Sequence, residues 1–283
     1  MNRFTILLPL IATCTTNTTS PTPMPTKTAW TLVWSDEFDG PANSGIDSSK
    51  WSHDTGDGCA QGICGWGNTE KETYTAAREN ASLNGVGQLA IVARPAPAGL
   101  TCFYGACRYT SAKITTRSTF KAGPGRVEAR IKIPTGQGLW PGFWMLGEKH
   151  PATPWPDCGE LDIMENKGSQ PSVTSSAVHG PGYAGGNSFN HAWPLGAGRY
   201  SDDFHTFAVE WDSAGVAFYV DSTLHYLVTR TTVEGAGKYV LDQPFYLIIN
   251  LAVGGHFDGD PASDAIFPAT MLVDYVRAYR RMQ

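Results

Sequence analysis

The chain has 283 residues, a net charge of −5, 17% charged and 11% aromatic residues, 31 Gly and 19 Pro. The acidic balance and the lack of any long basic run argue against a nucleic-acid partner and suit a neutral ligand. The length is enough for one large all-β domain, and nine Trp and eleven Tyr supply flat surfaces for sugar rings beyond those that fill a core.

In chain order, residues 1–14 read as a signal segment. Met1-Asn2-Arg3 is a short positive start, and Phe4 to Ala12 is an apolar run too short to span a bilayer. Cys14, after Ile11-Ala12-Thr13, resembles the lipidated Cys of a bacterial lipoprotein signal, although Thr13 replaces the usual Gly or Ala. An ordinary secretory signal cleaved nearby is the alternative. Residues 15–28, rich in Thr, Ser and Pro, read as a linker. Either way the domain at 29–283 is expected outside the cytoplasm, with a lipid as its one membrane attachment and nothing that asks for more than a monomer.

Five cysteines remain. Cys59 and Cys64 are five apart, as are Cys102 and Cys107, so two local disulfides are the simplest pairing, with Cys158 left free. Crossed pairings stay open on sequence. Zinc is disfavoured, because the spacing is long for a zinc knuckle and the compartment favours oxidation.

Trp30-Thr31-Leu32-Val33-Trp34 alternates and opens the folded domain. Gly65 to Thr75 is Gly-rich and polar, a loop that enters a strand. In it Asn68, beside Trp66, offers an amide for hydroxyl groups; holding a turn is the other role for such an Asn. Alternating stretches follow at Gln88–Arg94, Tyr109–Thr116 and Gly125–Ile133, with turn residues between them and no long amphipathic helix. Such a run of strands predicts a sandwich or barrel. In Gly138 to Leu146, Trp140 and Trp144 share strand parity and can line one face. Trp155 is a third candidate for the cleft.

Cys158-Gly159-Glu160-Leu161-Asp162-Ile163-Met164-Glu165-Asn166 places three carboxylates within six residues, set among apolar side chains. Glu160 and Asp162 share a face of a strand. Glu165 is at an odd offset, and a regular strand would turn it into the core. One extra residue around Ile163-Met164, a β-bulge, would bring it back beside the other two. Three acids on one sheet face repel, and nothing structural requires them. Two carboxyl groups facing one cleft are what glycosidic cleavage needs, one as nucleophile or base and the other as proton donor. Asp162 between them can bias which one holds the proton. Downstream, His179 follows the next strand. His205 reads as structural, and His191 has no assignment. Phe218–Asp221, Tyr246–Asn250 with the residues to Gly255, and Met271–Tyr279 complete the strands.

The stretch Trp155 to Asn166 resembles the active-site strand of glycoside hydrolase family 16, in the bulged E-x-D-x-x-E form of its laminarinase-type endo-β-1,3-glucanases. The resemblance covers roughly residues 30–281. It implies a jelly-roll sandwich of two curved antiparallel sheets with the cleft on the concave face. It implies Glu160 as nucleophile, Asp162 as its assistant and Glu165 as acid/base, acting with retention. Asn68, Trp140, Trp144, Trp155 and His179 fall on the family's substrate side, as does Lys113, which stands where Arg is usual and keeps the charge without the planar fork. No cofactor is implied for catalysis. A structural calcium is implied, held by the carbonyls of Glu37 and Gly87 and by Asp274. The expected substrate is a β-glucan such as laminarin, with mixed β-1,3/1,4-glucan also in range. An agarase-like galactan hydrolase and a non-catalytic β-glucan-binding protein are the alternatives.

Overall fold

Alternation builds the strands. In Leu89–Pro95, residues Leu89, Ile91 and Ala93 are buried, while Ala90, Val92 and Arg94 turn outward. Gly125–Lys132 repeats the pattern, with Val127, Ala129 and Ile131 inward and Arg126, Glu128 and Arg130 outward. Period-two burial of this kind marks a strand with one face on a core. The computed structural model describes residues 30–282. The expected signal segment 1–14 with Cys14 and the expected linker 15–28 lie outside the described residues.

Two large sheets stack face to face. The larger runs Thr223–Thr229, Gly215–Val220, His205–Asp212, Gly125–Lys132, Ala269–Arg281, Leu89–Pro95, Tyr109–Ser111 and Glu72–Tyr74, with Trp30–Asp36 and Ala81–Leu83 joined along it. The smaller runs Phe189–Pro194, Val173–His179, Glu160–Asn166, Leu139–Gly147, Phe245–Val253, Lys113–Thr115 and Ser52–Asp54. Pairing is antiparallel except where Glu72–Tyr74 lies parallel to Tyr109–Ser111. This is the expected jelly-roll sandwich. The single α-helix among the described residues, Arg230–Glu234, is capped by the Thr229 side chain, which accepts from Thr232 N.

One expected strand divides. Tyr109–Thr116 is two short strands broken at Ala112: Tyr109–Ser111 belongs to the larger sheet, and Lys113–Thr115 to the smaller. Every residue from Tyr109 to Thr116 is buried, so no polar face marks where the chain crosses between sheets.

The core lies between the sheets. Phe143, Met145, Leu161, Phe245, Leu247 and Leu251 of the smaller sheet meet Val127, Ile131, Phe207, Val209 and Val273 of the larger. Truncating a fully buried side chain such as Phe143 to Ala costs about 3–5 kcal/mol. Phe245–Val253 is buried along all nine residues. Its odd-numbered residues join the main core, while Tyr246 and Ile248 pack on the other face with Leu146, Cys158 and Trp144. That second cluster covers part of the outer face of the smaller sheet and leaves the rest open as a cleft. Cys59–Cys64 and Cys102–Cys107 are disulfides, and Cys158 is a free, buried thiol.

Candidate active site

Glu160–Asn166 lies between Leu139–Gly147 and Val173–His179. Against the first neighbour, Glu160 pairs with Leu146, Asp162 with Trp144 and Glu165 with Gly142, so all three acids meet one parity of the partner strand. A register shift makes this so: Ile163 is the extra residue between Trp144–Asp162 and Phe143–Met164. Leu161, Ile163 and Met164 all reach the core. The bulge lies where the odd spacing of Glu165 called for one. Opposite Glu165, Gly142 lets Trp144 and Asn250 close together, since a Cβ there would come 3.0 Å from Asn250 Oδ1 and 3.3 Å from the Trp144 ring.

Each acid is held by a ring N–H. Trp155 Nε1 donates to Glu160 Oε2 at 2.7 Å, and Trp140 Nε1 donates to Glu165 Oε1 at 3.0 Å. His179 Nε2 lies 3.1 Å from Asp162 Oδ2. His179 Nδ1 accepts from Gly185 N at 3.1 Å, so in the neutral ring the proton sits on Nε2 and is donated to Asp162. Ligating atoms of Glu160, Asp162 and His179 lie within 4.8 Å of one another. Among the described residues they are the one cluster of three His, Cys or acidic side chains so closely placed, and they are also the groups that the carboxylate chemistry itself uses.

Burial, reinforced by the charge of Asp162, pushes Glu160 up to about 8; His179, the Trp155 N–H and Lys113 pull the other way. Glu165 is held well above the usual carboxylate range, by burial first and then by the charges of Asp162 and Glu160. Burial raises Asp162 too. Three crowded carboxyls cannot all ionise together. Both carboxyls feel Asp162, His179 and an indole N–H; what separates them is that Lys113 favours ionised Glu160, whereas the charge of Glu160 favours protonated Glu165. That division suits a nucleophile and a proton donor.

The cleft floor continues away from the acids. Lys113 is buried, with Nζ 4.2 Å from the Trp66 ring centre and 4.8 Å from that of Trp144. Trp144 Nε1 donates to Asn250 Oδ1 at 2.7 Å, and Asn250 Nδ2 donates to Tyr74 Oη at 2.9 Å. Tyr74 Oη donates to Glu70 Oε2 at 3.3 Å, and Asn68 Nδ2 to Glu70 Oε1 at 3.0 Å. One hydrogen-bonded chain therefore joins Trp144 to Asn68. The three tryptophans differ in what they can offer a sugar. One face of Trp140 is covered by Phe257, whose ring stacks at 4.5 Å. Trp144 carries Lys113 against its ring, whereas Trp155 is 47% exposed.

The sequence model of Glycosyl hydrolases family 16 matches residues 70–277. The chain belongs to that family. Among curated proteins of the family, the beta-glucanase of Rhodothermus marinus is 41% identical over 268 residues, covering 89% of this chain and 85% of that one. Among solved structures, the laminarinase catalytic domain of Thermotoga maritima superposes with a TM-score of 0.84 at 43% identity, covering 90% of this chain and 99% of that one. The endo-beta-1,3-glucanase of Pyrococcus furiosus gives 0.84 at 42%, covering 90% and 96%. This family 16 chain is thus a glycoside hydrolase by descent.

The residues expected to hold calcium lie about the middle of Ala269–Arg281, an interior strand of the larger sheet. Asp36 pairs with Val276 and Leu89 with Val273, which brings Glu37, Gly87 and Asp274 alongside one another. At Gly87, with φ 79°, a Cβ would lie 3.9 Å from the Glu37 carbonyl oxygen. Two carbonyls and a carboxylate suit a calcium ion. The Glu37 carboxylate is engaged by Arg277 at 3.0 and 2.7 Å, and Asp274 Oδ2 accepts from Arg130 at 2.7 Å, so Oδ1 is the Asp274 oxygen available to an ion.

Sequence reasoning missed Asn250 and Phe257 as members of the site; Glu70 and Tyr74 lie in the Gly65–Thr75 segment, whose resemblance to a family cleft segment gave neither of them a role of its own. Asn250 had a signal: it is the one polar side chain in Phe-Tyr-Leu-Ile-Ile-Asn-Leu-Ala-Val apart from Tyr246, and a buried amide needs partners. Phe257 carried none. His205 is structural, its Nδ1 2.6 Å from Asp221 Oδ2. His191 stacks on Tyr226, with ring centres 5.2 Å apart.

Proposed function

We propose that this chain is an extracytoplasmic endo-acting hydrolase that cleaves internal β-1,3-glucosidic bonds of β-glucans such as laminarin, with retention. The observation that carries the proposal is the bulge that sets Glu160 and Glu165 on one cleft face with Asp162 between them, each Glu held by an indole N–H. The likeness to endo-β-1,3-glucanases along most of the chain supports the choice of linkage. Two disulfides among the described residues support an oxidising compartment.

In the proposed mechanism Glu160 attacks the anomeric carbon, and Glu165 protonates the departing oxygen. Glu165 then takes a proton from the incoming water as the glycosyl–Glu160 ester is hydrolysed. Asp162, itself held by His179, keeps negative charge between the two and holds the proton on Glu165. Retention needs carboxyl groups about 5–5.5 Å apart. The Cα atoms are separated by four effective strand steps, roughly 13 Å, so retention requires the two long side chains to converge. Trp155 is the open indole for a sugar ring, and Lys113, Asn68 and Trp144 line the floor. Calcium at Glu37, Gly87 and Asp274 would brace the sandwich and takes no part in the chemistry.

The test is product analysis by the purified domain on laminarin, barley mixed-linkage glucan and agarose, with Glu165→Gln alongside. Short oligosaccharides from laminarin that disappear in the variant are the expected result. Cleavage of agarose alone would overturn the substrate and keep the carboxylate chemistry. Binding to a glucan without cleavage of any of the three would make the chain a carbohydrate-binding protein.

A further inference from the structure

A β-bulge leaves a residue without a regular ladder partner, and its peptide groups must be satisfied in another way. Here the register against Val173–His179 passes from Asp162 opposite Ala177 to Glu165 opposite Ser175, so Ile163 and Met164 together face Ser176. Three consecutive hydroxyls of that neighbouring strand answer the irregularity. Ser176 Oγ donates to the Ile163 carbonyl at 2.8 Å. Thr174 Oγ1 and Ser175 Oγ reach the Glu165 carbonyl at 3.1 and 3.4 Å. Thr174 and Ser176 are fully buried, on the core side of the strand, and Ser175 is half-buried on the cleft side.

Behind Ser176 stands His225, on the edge strand Thr223–Thr229 of the opposite sheet, with Nε2 3.3 Å from Ser176 Oγ. The Ile163 carbonyl can only accept, so the Ser176 proton goes to it. Ser176 Oγ then accepts from His225 Nε2–H, which leaves Nδ1 bare, and Nδ1 has no partner. The chain His225–Ser176–Ile163 ties the bulge across the core to the other sheet. The two anchored carbonyls bracket Glu165: one belongs to the residue two before it, the other to Glu165 itself. Rotation of either peptide would swing the Glu165 side chain.

We propose that Thr174, Ser176 and His225 are positioning residues that fix the pitch of the bulge and aim the Glu165 carboxyl at the departing oxygen. The proposal rests on the assignment of Glu165 as acid. None of the three side chains touches substrate in this scheme, so the signature is a defect in proton donation and not in binding.

The test uses leaving-group dependence. A dinitrophenyl laminaribioside departs without protonation, whereas laminarin needs it, and kcat/KM reports the glycosylation step for both. Ser176→Ala is expected to lose about 10- to 100-fold in kcat/KM on laminarin, the scale of a misaimed catalytic group, chiefly in kcat. It should lose less than about twofold on the aryl glycoside, and Ser176→Thr should recover most of the laminarin rate. Thr174→Val reads the same split should Ser176→Ala fail to fold. Equal losses on both substrates, a loss confined to KM, or no loss on laminarin would overturn the proposal. Glu165→Gln must itself show the split. If it does and Ser176→Ala does not, the clamp alone fails; if it does not, the acid assignment fails and the clamp falls with it.

Discussion

Trp140 Nε1 donates to Glu165 Oε1 at 3.0 Å while its ring stacks on Phe257. The indole thus grips the acid by its edge and is held by its face. Trp140→Phe would keep the ring packing and delete the donor. That hydrogen bond favours the ionised form of Glu165. Its loss therefore raises the Glu165 pKa, and the alkaline limb of the kcat/KM profile should move to higher pH, with a several-fold lower maximum on the order of one lost hydrogen bond. An alkaline limb that stays in place would show that the Trp140 N–H does not tune the acid.

Lys113 acts on the other carboxyl. Its charge lowers the Glu160 pKa. Lys113→Met removes that effect, so the Glu160 pKa rises and the acid limb of kcat/KM should move to higher pH. Each unit of that move lowers the ionised nucleophile about tenfold on the acid side. A pH profile of the variant on laminarin measures it. An unmoved acid limb with only KM raised would make Lys113 a substrate contact and nothing more.

The raised pKa values of the acid cluster predict a fold that loses stability as pH rises to neutral. The folded pKa of Glu165 is raised above its ordinary value of 4.5. Its contribution is thus fully present below that value and is lost as pH rises through the folded pKa. Glu165→Gln cannot ionise and escapes this loss. At pH 7 the variant should be the more stable protein, by on the order of 1 kcal/mol once screening by the open cleft is allowed for, or a few degrees in Tm. The gain should vanish near pH 4, which thermal melts at the two pH values would show. A variant less stable at pH 7 would mean that the Glu165 carboxyl is a net structural asset.

Calcium gives a separate stability test. With Glu37 and Gly87 carbonyls and Asp274 as ligands, EGTA should lower Tm and added calcium should restore it, while Asp274→Asn should blunt both responses. A Tm indifferent to EGTA would leave Asp274 as the partner of Arg130 alone.

Much of this was legible in sequence wherever burial is one-sided. Alternation over Gln88–Arg94 and Gly125–Ile133 predicts strands that form at Leu89–Pro95 and Gly125–Lys132, and the odd offset of Glu165 alone calls for the bulge. Where both faces are covered the code goes silent. The break at Ala112 sits inside eight consecutive buried residues, so no period reveals that the chain changes sheets there. The role of Trp140 was half-legible: parity put it on the cleft face, but only the fold brings Phe257 over its ring. The hydroxyls of Thr174 and Ser176 read as ordinary strand residues because their partners are main-chain carbonyls, which leave no mark in sequence.

The most direct test of the central claim is to trap the intermediate. The enzyme would be incubated with a fluorinated laminaribiosyl fluoride, which forms the glycosyl ester quickly and releases it slowly, and the adduct would be mapped by peptide mass spectrometry. One laminaribiosyl unit on the peptide carrying Glu160, absent in Glu160→Gln, is the expected result. An adduct on Glu165 would exchange the two roles, and no adduct together with an inverted first product from laminarin would contradict the double-displacement mechanism altogether.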